Sequence, residues 1–200
     1  RAQDELIFDG QSLCDNENGK LIAQGKAFQE EIVMCAILGF LGLNNLDDLI
    51  QMRDEMTHRG PDDGGFYFEE DRKVFLGHRR LSIIDHIGGK QPMWDKQKRV
   101  CIVFNGEIYN HLNLRKTLIS KGHIFQSSHS DTEVLIHGYK EWGVELPKYL
   151  NGMFAFCIFD KLKNKLFIVR DRFGEKPLFY YQNLSLLKTS LNHYLNLMKS

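Results

Sequence analysis

Met34-Cys35-Ala36-Ile37-Leu38-Gly39-Phe40-Leu41-Gly42 is where the texture of this chain changes. The continuous apolar run from Ala36 to Gly42, punctuated by glycine, predicts a strand buried on both faces. Toward the C-terminus, Leu46, Leu49, Ile50 and Met56 fall near helical spacing, and the stretch stops at His58-Arg59-Gly60-Pro61. Phe66–Glu70 and Val74–Gly77, joined by Asp71-Arg72-Lys73, read as a hairpin. Val100–Phe104 reads as a strand ending on Asn105-Gly106, and Leu112, Leu118 and Ile119 before Gly122 mark a second helix. A third helix opens on Ser130-Asp131-Thr132-Glu133, a capping-box pattern in which hydroxyl and carboxylate satisfy backbone N–H groups. It continues through Val134, Leu135, Tyr139 and Trp142 and stops at Gly143. Met153–Phe159 and Leu166–Val169 flank the polar turn Asp160–Lys165 as a long hairpin. Helices set between hairpins, rather than strict strand-helix alternation, predict an α+β domain of antiparallel sheets with helices outside. Residues 1–33 read as a polar strand-and-turn piece with turn signals at Asp9-Gly10 and Asn18-Gly19. In the last stretch, Leu184, Leu187, Leu191, Leu195 and Met198 repeat as on an amphipathic, docked helix.

Composition narrows the function classes. Two hundred residues allow one medium domain with at most a short appendage. Lys+Arg and Asp+Glu are equal at 26, which argues against nucleic acid as a partner, since phosphate contacts need a basic excess. The 42% apolar content suffices for a packed core. Nothing approaches the ~20 apolar residues of a membrane helix, and no signal-peptide pattern is present. Cys14, Cys35, Cys101 and Cys157 are far apart and form no CxxC pair, which favours free thiols, a reducing and cytoplasmic setting, and no structural zinc. The eight histidines include no HExxH pattern. A chain opening on Arg1 is expected to be processed or a piece of something larger.

Taken singly, the polar residues at strand and helix ends have ordinary readings. Cys35 suits a small buried hydrophobe, Asn105-Gly106 a turn, Arg80 a surface charge, and Asp131 a first-turn acid favoured by the helix dipole. A nucleophilic Cys35 would need a base nearby to form its thiolate.

Together they read differently. Met34-Cys35-Ala36-Ile37, His58-Arg59-Gly60-Pro61-Asp62, His78–Ile83, Asn105–Asn110, Ser130–Val134, Asn151–Phe156 and Arg170-Asp171-Arg172-Phe173-Gly174 follow one another in order. That series resembles the class II glutaminase domain of glutamine-hydrolysing asparagine synthetases, over roughly residues 34–181. The resemblance implies the N-terminal-nucleophile hydrolase fold, a four-layer αββα sandwich, truncated here at its C-terminal end. It implies Cys35 as nucleophile, with its own α-amine as base once Cys35 is the first residue of the chain. A free α-amine has a pKa of about 7.7–8.0 and is partly neutral near pH 7. Asn105 and Gly106 would hold the oxyanion, while Arg80, Leu81, Ile83, Glu107 and Asp131 would bind the substrate, glutamine. The Arg80 fork would take the α-carboxylate, and Asp131 with Glu107 the α-ammonium. No cofactor is expected on this chain. ATP and magnesium belong to a synthetase domain that would receive the ammonia, and whose Ser-Gly-Gly-x-Asp-Ser loop does not occur here.

Three departures stand beside the resemblance. Ala36 occupies a position where the family usually has glycine. Residues 1–33 precede the nucleophile, and Gln3 to Glu31 resemble a fragment of the nitrilase-like domain of glutamine-dependent NAD synthetases, without its Glu-Lys-Cys set. Residues 182–200 form a divergent tail. While Met34 is joined to Cys35, the nitrogen of Cys35 is an amide and cannot be a base, so a catalytically silent, ligand-binding chain is the alternative.

Overall fold

The computed structural model describes residues 6–9, 13–15, 21–24, 35–42, 46–80 and 90–182. In chain order its strands are β1 (Leu6–Asp9), β2 (Leu13–Asp15), β3 (Leu21–Gln24) and β4 (Ala36–Leu41), then β5 (Asp63–Glu69), β6 (Val74–Arg80) and β7 (Met93–Trp94). They continue with β8 (Val100–Ile108), β9 (Gly152–Asp160), β10 (Lys165–Arg170) and β11 (Phe179–Gln182). The helices are α1 (Leu46–Glu55), α2 (His111–Ser120) and α3 (Asp131–Trp142). The glycine-punctuated run after Cys35 is indeed a strand, with Ala36 to Phe40 all buried. It lies inside a five-stranded sheet of order β11-β1-β4-β6-β5, and a second sheet runs β10-β9-β8-β7. Every pairing in both is antiparallel. Among the described residues, β2 and β3 pair only with each other.

Side chains on a strand alternate between faces, and here the alternation sorts the apolar residues into three cores. Ala36, Leu38, Phe40 and Phe75 leave the first sheet toward α1, packing with Leu49 and Met56. Ile37, Val74 and Leu76 leave the opposite face and meet Cys101, Val103, Ala155, Cys157 and Phe159 of the second sheet. The far face of that sheet, including Ile102, Phe104, Phe156 and Ile158, packs on Leu114, Leu118, Val134, Leu135 and Tyr139 of α2 and α3. Helices therefore lie outside antiparallel sheets, as the hairpin-helix order predicts. Burial of each large apolar side chain stabilises by roughly 1.5–3 kcal/mol.

Several boundaries differ from the sequence expectation. β8 does not end at Asn105-Gly106 but runs on to Ile108. The pair is no turn because Gly106, at φ +146°, lets β9 approach where a Cβ would lie 2.1 Å from the Met153 carbonyl oxygen. On α2 the buried residues are Leu114 and Leu118, whereas Leu112 and Ile119 are exposed. The hairpin in the first sheet is longer than its apolar signal, reaching Asp63 and Arg80. The leucine repeat of the tail lies outside the described residues. No helix among the described residues is long and apolar enough to cross a membrane.

The capping box at α3 is only half made. Ser130 accepts the N–H of Glu133, but the Glu133 carboxylate turns away and accepts the N–H groups of Gln126 at 2.6 Å and Ser127 at 2.8 Å. It thereby ties the 126–130 segment to the helix. Burial alone would raise the pKa of this carboxyl; hydrogen bonds from His137, Gln126 and Ser127 outweigh that and bring it down to about 2. A carboxylate depressed in the folded state adds stability above its ordinary value, and that stability is lost as the pH falls toward the folded value. The melting temperature of the wild-type chain should therefore drop between about pH 5 and pH 2. In Glu133→Gln it should be lower at neutral pH and flatter across that window, as melting curves at several pH values will test.

Candidate active site

Ala36 pairs with Arg79, so the next residues outward, Cys35 and Arg80, lie opposite each other. Alternation puts both on the face of Ile37 and Leu76, between the sheets. Cys35 is half-buried. Arg80 is held from its other side, where Pro61 bridges to it and its carbonyl accepts the Asp62 N–H at 3.1 Å. Gly60 packs so closely here that a Cβ would lie 2.4 Å from both the Arg79 carbonyl carbon and the Arg80 nitrogen. Arg79 faces the other way, toward α1, and bonds to Thr57 and Asp54.

The second wall is the open edge of β8. β7 covers that edge only at Ile102 and Cys101. At Phe104 the amide of Gln91 replaces a strand, its Oε1 accepting the Phe104 N–H at 2.6 Å and its Nε2 donating to the carbonyl at 3.1 Å. His78, from the first sheet, also hydrogen-bonds the Phe104 backbone. Backbone groups alternate direction along a strand, so Asn105 turns its own toward β9 and Gly106 directs its N–H to the open edge. Phe154, opposite Gly106, spends its N–H and carbonyl on Asp171. The next N–H on that edge, Ile108, donates to Asp131 Oδ2 at 3.2 Å.

Side chains on β8 alternate in the same way. Asn105 shares the inter-sheet face of Cys101 and Val103 and is 1% exposed, yet neither its Oδ1 nor its Nδ2 has a hydrogen-bond partner among the described residues. His78 Nε2, equally buried, has none either. Burial, and then the charge of Arg80, lowers the His78 pKa to about 3, so its ring is neutral at pH 7. Leaving a buried amide unpaired costs roughly 1–3 kcal/mol, which makes a side chain with both ends unmet a place for a ligand's polar atoms. Glu107 is exposed, at the rim on the Asn105 side. Burial raises the pKa of Asp131, partly offset by the N–H groups of Ile108 and Thr132 and by His111. Leu81 and Ile83 lie outside the described residues. Among the described residues, no group of three or more His, Cys, Asp or Glu side chains is placed to hold a metal.

Several residues build this region without a task that their local pattern reveals. Gln91 belongs to no motif, and His78 heads the His78–Ile83 block without its task being visible there; only the fold reveals that they brace Phe104. Asp171 was legible as part of a motif but not in its task. Its carboxylate accepts the N–H groups of Phe154 at 3.2 Å, Phe173 at 3.0 Å, and Glu175 and Lys176 at 2.9 Å each. The geometry thus sets a thiol and a guanidinium on one sheet, and a buried amide and an edge N–H on the other, around one inter-sheet layer.

Residues 34–196 match the family described as glutamine amidotransferase domain. The chain belongs to this class II amidotransferase family. Its curated relatives include asparagine synthetase [glutamine-hydrolyzing] 3 of Bacillus subtilis (strain 168), 42% identical over 154 residues, which are 74% of this chain and 25% of that protein. Asparagine synthetase [glutamine-hydrolyzing] 2 of Oryza sativa subsp. japonica is 39% identical over 151 residues, 73% of this chain and 25% of that protein. The amidotransferase domain thus spans a quarter of the length of these relatives. Among solved structures, glutamine phosphoribosylpyrophosphate amidotransferase from B. subtilis, complexed with ADP and GMP, aligns with 80% of this chain and 29% of its own, at 23% identity and a TM-score of 0.37.

The unmet amide of Asn105 has a measurable consequence for stability. Asn105→Leu replaces both unpaired polar atoms by methyl groups of similar volume, removing a desolvation cost without opening a cavity. The variant should melt at or above the wild-type temperature, by an amount equivalent to about 1 kcal/mol. A clear fall in melting temperature would show that the amide has partners in the folded protein.

Proposed function

We propose that this amidotransferase domain is the glutaminase part of an asparagine synthetase-type enzyme, releasing ammonia from glutamine through a Cys35 thioester. The observation that carries the reading is the buried Asn105 amide, without a hydrogen-bond partner among the described residues, beside the edge N–H of Gly106 and in the layer that Cys35 and Arg80 also face. Two antiparallel sheets with helices outside each support the αββα arrangement expected of an N-terminal-nucleophile hydrolase.

In this reading the α-amine of a Cys35 made N-terminal takes the thiol proton, and the sulfur attacks the carboxamide carbon. The developing oxyanion accepts from Asn105 Nδ2 and Gly106 N–H. Each such donor typically contributes about 3–4 kcal/mol to the barrier reduction. The protonated α-amine returns its proton to the amide nitrogen as the C–N bond breaks, ammonia leaves, and water then hydrolyses the thioester to glutamate and the free thiol. Arg80 grips the α-carboxylate, and Asp131 with Glu107 meets the α-ammonium. Leu81 and Ile83 stand with them as substrate-binding residues. Glutamine is the substrate, the ammonia goes to a cytoplasmic synthetase domain, and ATP and magnesium serve that domain rather than this one.

The peptide bond between Met34 and Cys35 supports a second reading, a chain that binds ligand without turning it over. A protease site placed immediately before Cys35 in the full-length chain separates the two. Cutting there frees the α-amine while β1 keeps its strand partners β4 and β11. The uncut chain should release no glutamate and the cut chain should release it. Equal release from both would mean that the α-amine is not the base, and silence from both folded forms would favour binding alone.

Arg80→Lys tests the substrate grip in the cut protein. Lysine keeps the charge but loses the bidentate fork, so KM should rise by about tenfold or more while kcat changes much less. An unchanged KM would remove Arg80 from the carboxylate.

A further inference from the structure

His78 crosses the space between the two sheets. It stands on β6, opposite Ile37 of β4 and Gly65 of β5, and its ring hydrogen-bonds the backbone of Phe104 on β8. The Phe104 N–H is already given to Gln91 Oε1, and the bond to His78 is one that favours the protonated ring, so the ring donates and the Phe104 carbonyl accepts. Nε2 is the nitrogen without a partner among the described residues, which makes Nδ1–H the donor. A neutral imidazole has one N–H and one lone pair. With the hydrogen on Nδ1, Nε2 is fixed as a bare acceptor. Burial, then the charge of Arg80, outweighs Asp63 and the Phe104 bond and keeps the ring in that neutral form at pH 7.

Both walls set the position of this acceptor. Cys35 and Arg80 lie on the same face, two residues outward from Ile37 and His78, a step of about 7 Å along a strand. On the second sheet the residue after Phe104 is Asn105, whose Nδ2 and Oδ1 are also buried without partners among the described residues. Gln91 ties the same two walls. A Cβ on Gly65 would lie 1.9 Å from its carbonyl oxygen, while its side chain holds both polar groups of Phe104.

These three unmet atoms are one donor, Asn105 Nδ2, and two acceptors, Asn105 Oδ1 and His78 Nε2. A primary carboxamide is their complement, since its oxygen accepts and its nitrogen donates twice. Once Asn105 Nδ2 turns to the carboxamide oxygen beside the Gly106 N–H, Oδ1 lies on the other side of the same group. His78 Nε2 is then the acceptor that remains for the nitrogen. A carboxylate or an ester has no N–H to offer. Either would set oxygen lone pairs against that of Nε2 and leave a buried polar atom unpaired.

We infer that His78 is a specificity-determining residue that touches the substrate: its Nε2 accepts an N–H from the carboxamide nitrogen, and so separates glutamine from a γ-ester and from the product glutamate. The inference rests on the glutaminase reading and adds to it the group that meets the leaving nitrogen. His78 takes no proton and gives none; the proton that the departing nitrogen needs comes from the α-amine.

The test compares L-glutamine with L-glutamate γ-methyl ester, which keeps the carbonyl and the α-end but has no N–H on its leaving group, in the chain cut before Cys35. The readout is kcat/KM for glutamate release. His78→Asn leaves a side-chain N–H near the place of Nδ1 and removes the acceptor, whereas His78→Gln puts an amide oxygen near the place of Nε2. In His78→Asn, kcat/KM for glutamine should fall about tenfold further than that for the ester, and His78→Gln should restore the ratio. Equal losses on both substrates in a folded His78→Asn, as a brace for Phe104 alone would give, overturn the inference, and so does no loss on either.

Binding to the uncut wild-type chain gives a second measure that needs neither variant nor turnover. In nitrogen NMR of isotope-labelled histidine, a bare ring nitrogen moves upfield on accepting a hydrogen bond. Saturating glutamine should move one such signal, and the ester should leave it in place. No movement with glutamine, or the same movement with both ligands, overturns the inference even where the variants do not fold. A glutamine-specific shift without glutamate release from the cut protein counts against the glutaminase reading alone. Glutamine turnover without a selective loss in His78→Asn counts against His78 alone.

Discussion

The layer between the two sheets governs the rest of this molecule. Because side chains alternate with a period of two, one choice of face for Ile37 and Leu76 also commits Cys35, His78 and Arg80 to that layer. The same holds on β8, where Cys101 and Val103 commit Asn105. A slip of one residue on either strand would bury a different set and send all of these polar groups to a helix face. Apolar packing over most of each strand thus sets the aim of a few polar residues at its end.

That end is also where the fold stops satisfying its own polar groups. Along β8 the edge passes from β7 to the Gln91 amide at Phe104, then to Gly106, then to Asp131 at Ile108. Each handover is made by a side chain rather than a strand, and between two of them the Gly106 N–H stays directed outward. The unpartnered Asn105 amide and His78 Nε2 lie at the same place. Stability given up at adjoining positions is characteristic of a site that expects a ligand.

The loop from Arg170 to Lys176 is built by the opposite tactic. One carboxylate, Asp171, gathers four N–H groups, and Arg170 ties down the carbonyls of Gly174 at 2.8 Å and Lys176 at 3.2 Å. Gly174, at φ +67°, makes the bend, and any side chain there would run into the Arg170 guanidinium. So tightly bonded a loop delivers Leu178 into the inter-sheet core beside Ile37.

The sequence by itself determined helices α1 to α3, the two hairpins and the family to which the chain belongs. Apolar periodicity and turn residues are local, and they survive as signals without any knowledge of what packs on what. It also named Cys35, Arg80, Asn105 and Asp131 as candidates, because their motifs follow one another in order. Tertiary structure alone decided that Asn105-Gly106 is strand rather than turn, since the reason is the proximity of Met153, nearly fifty residues away. It alone showed that the Glu133 carboxylate leaves its capping box for Gln126 and Ser127, and that Leu114 rather than Leu112 faces the core. It placed β1, from a segment that read as separate, between β4 and β11. The tasks of His78 and Gln91 were illegible for one physical reason: their partners are fixed by sheet register and layer packing, which join residues remote in the chain.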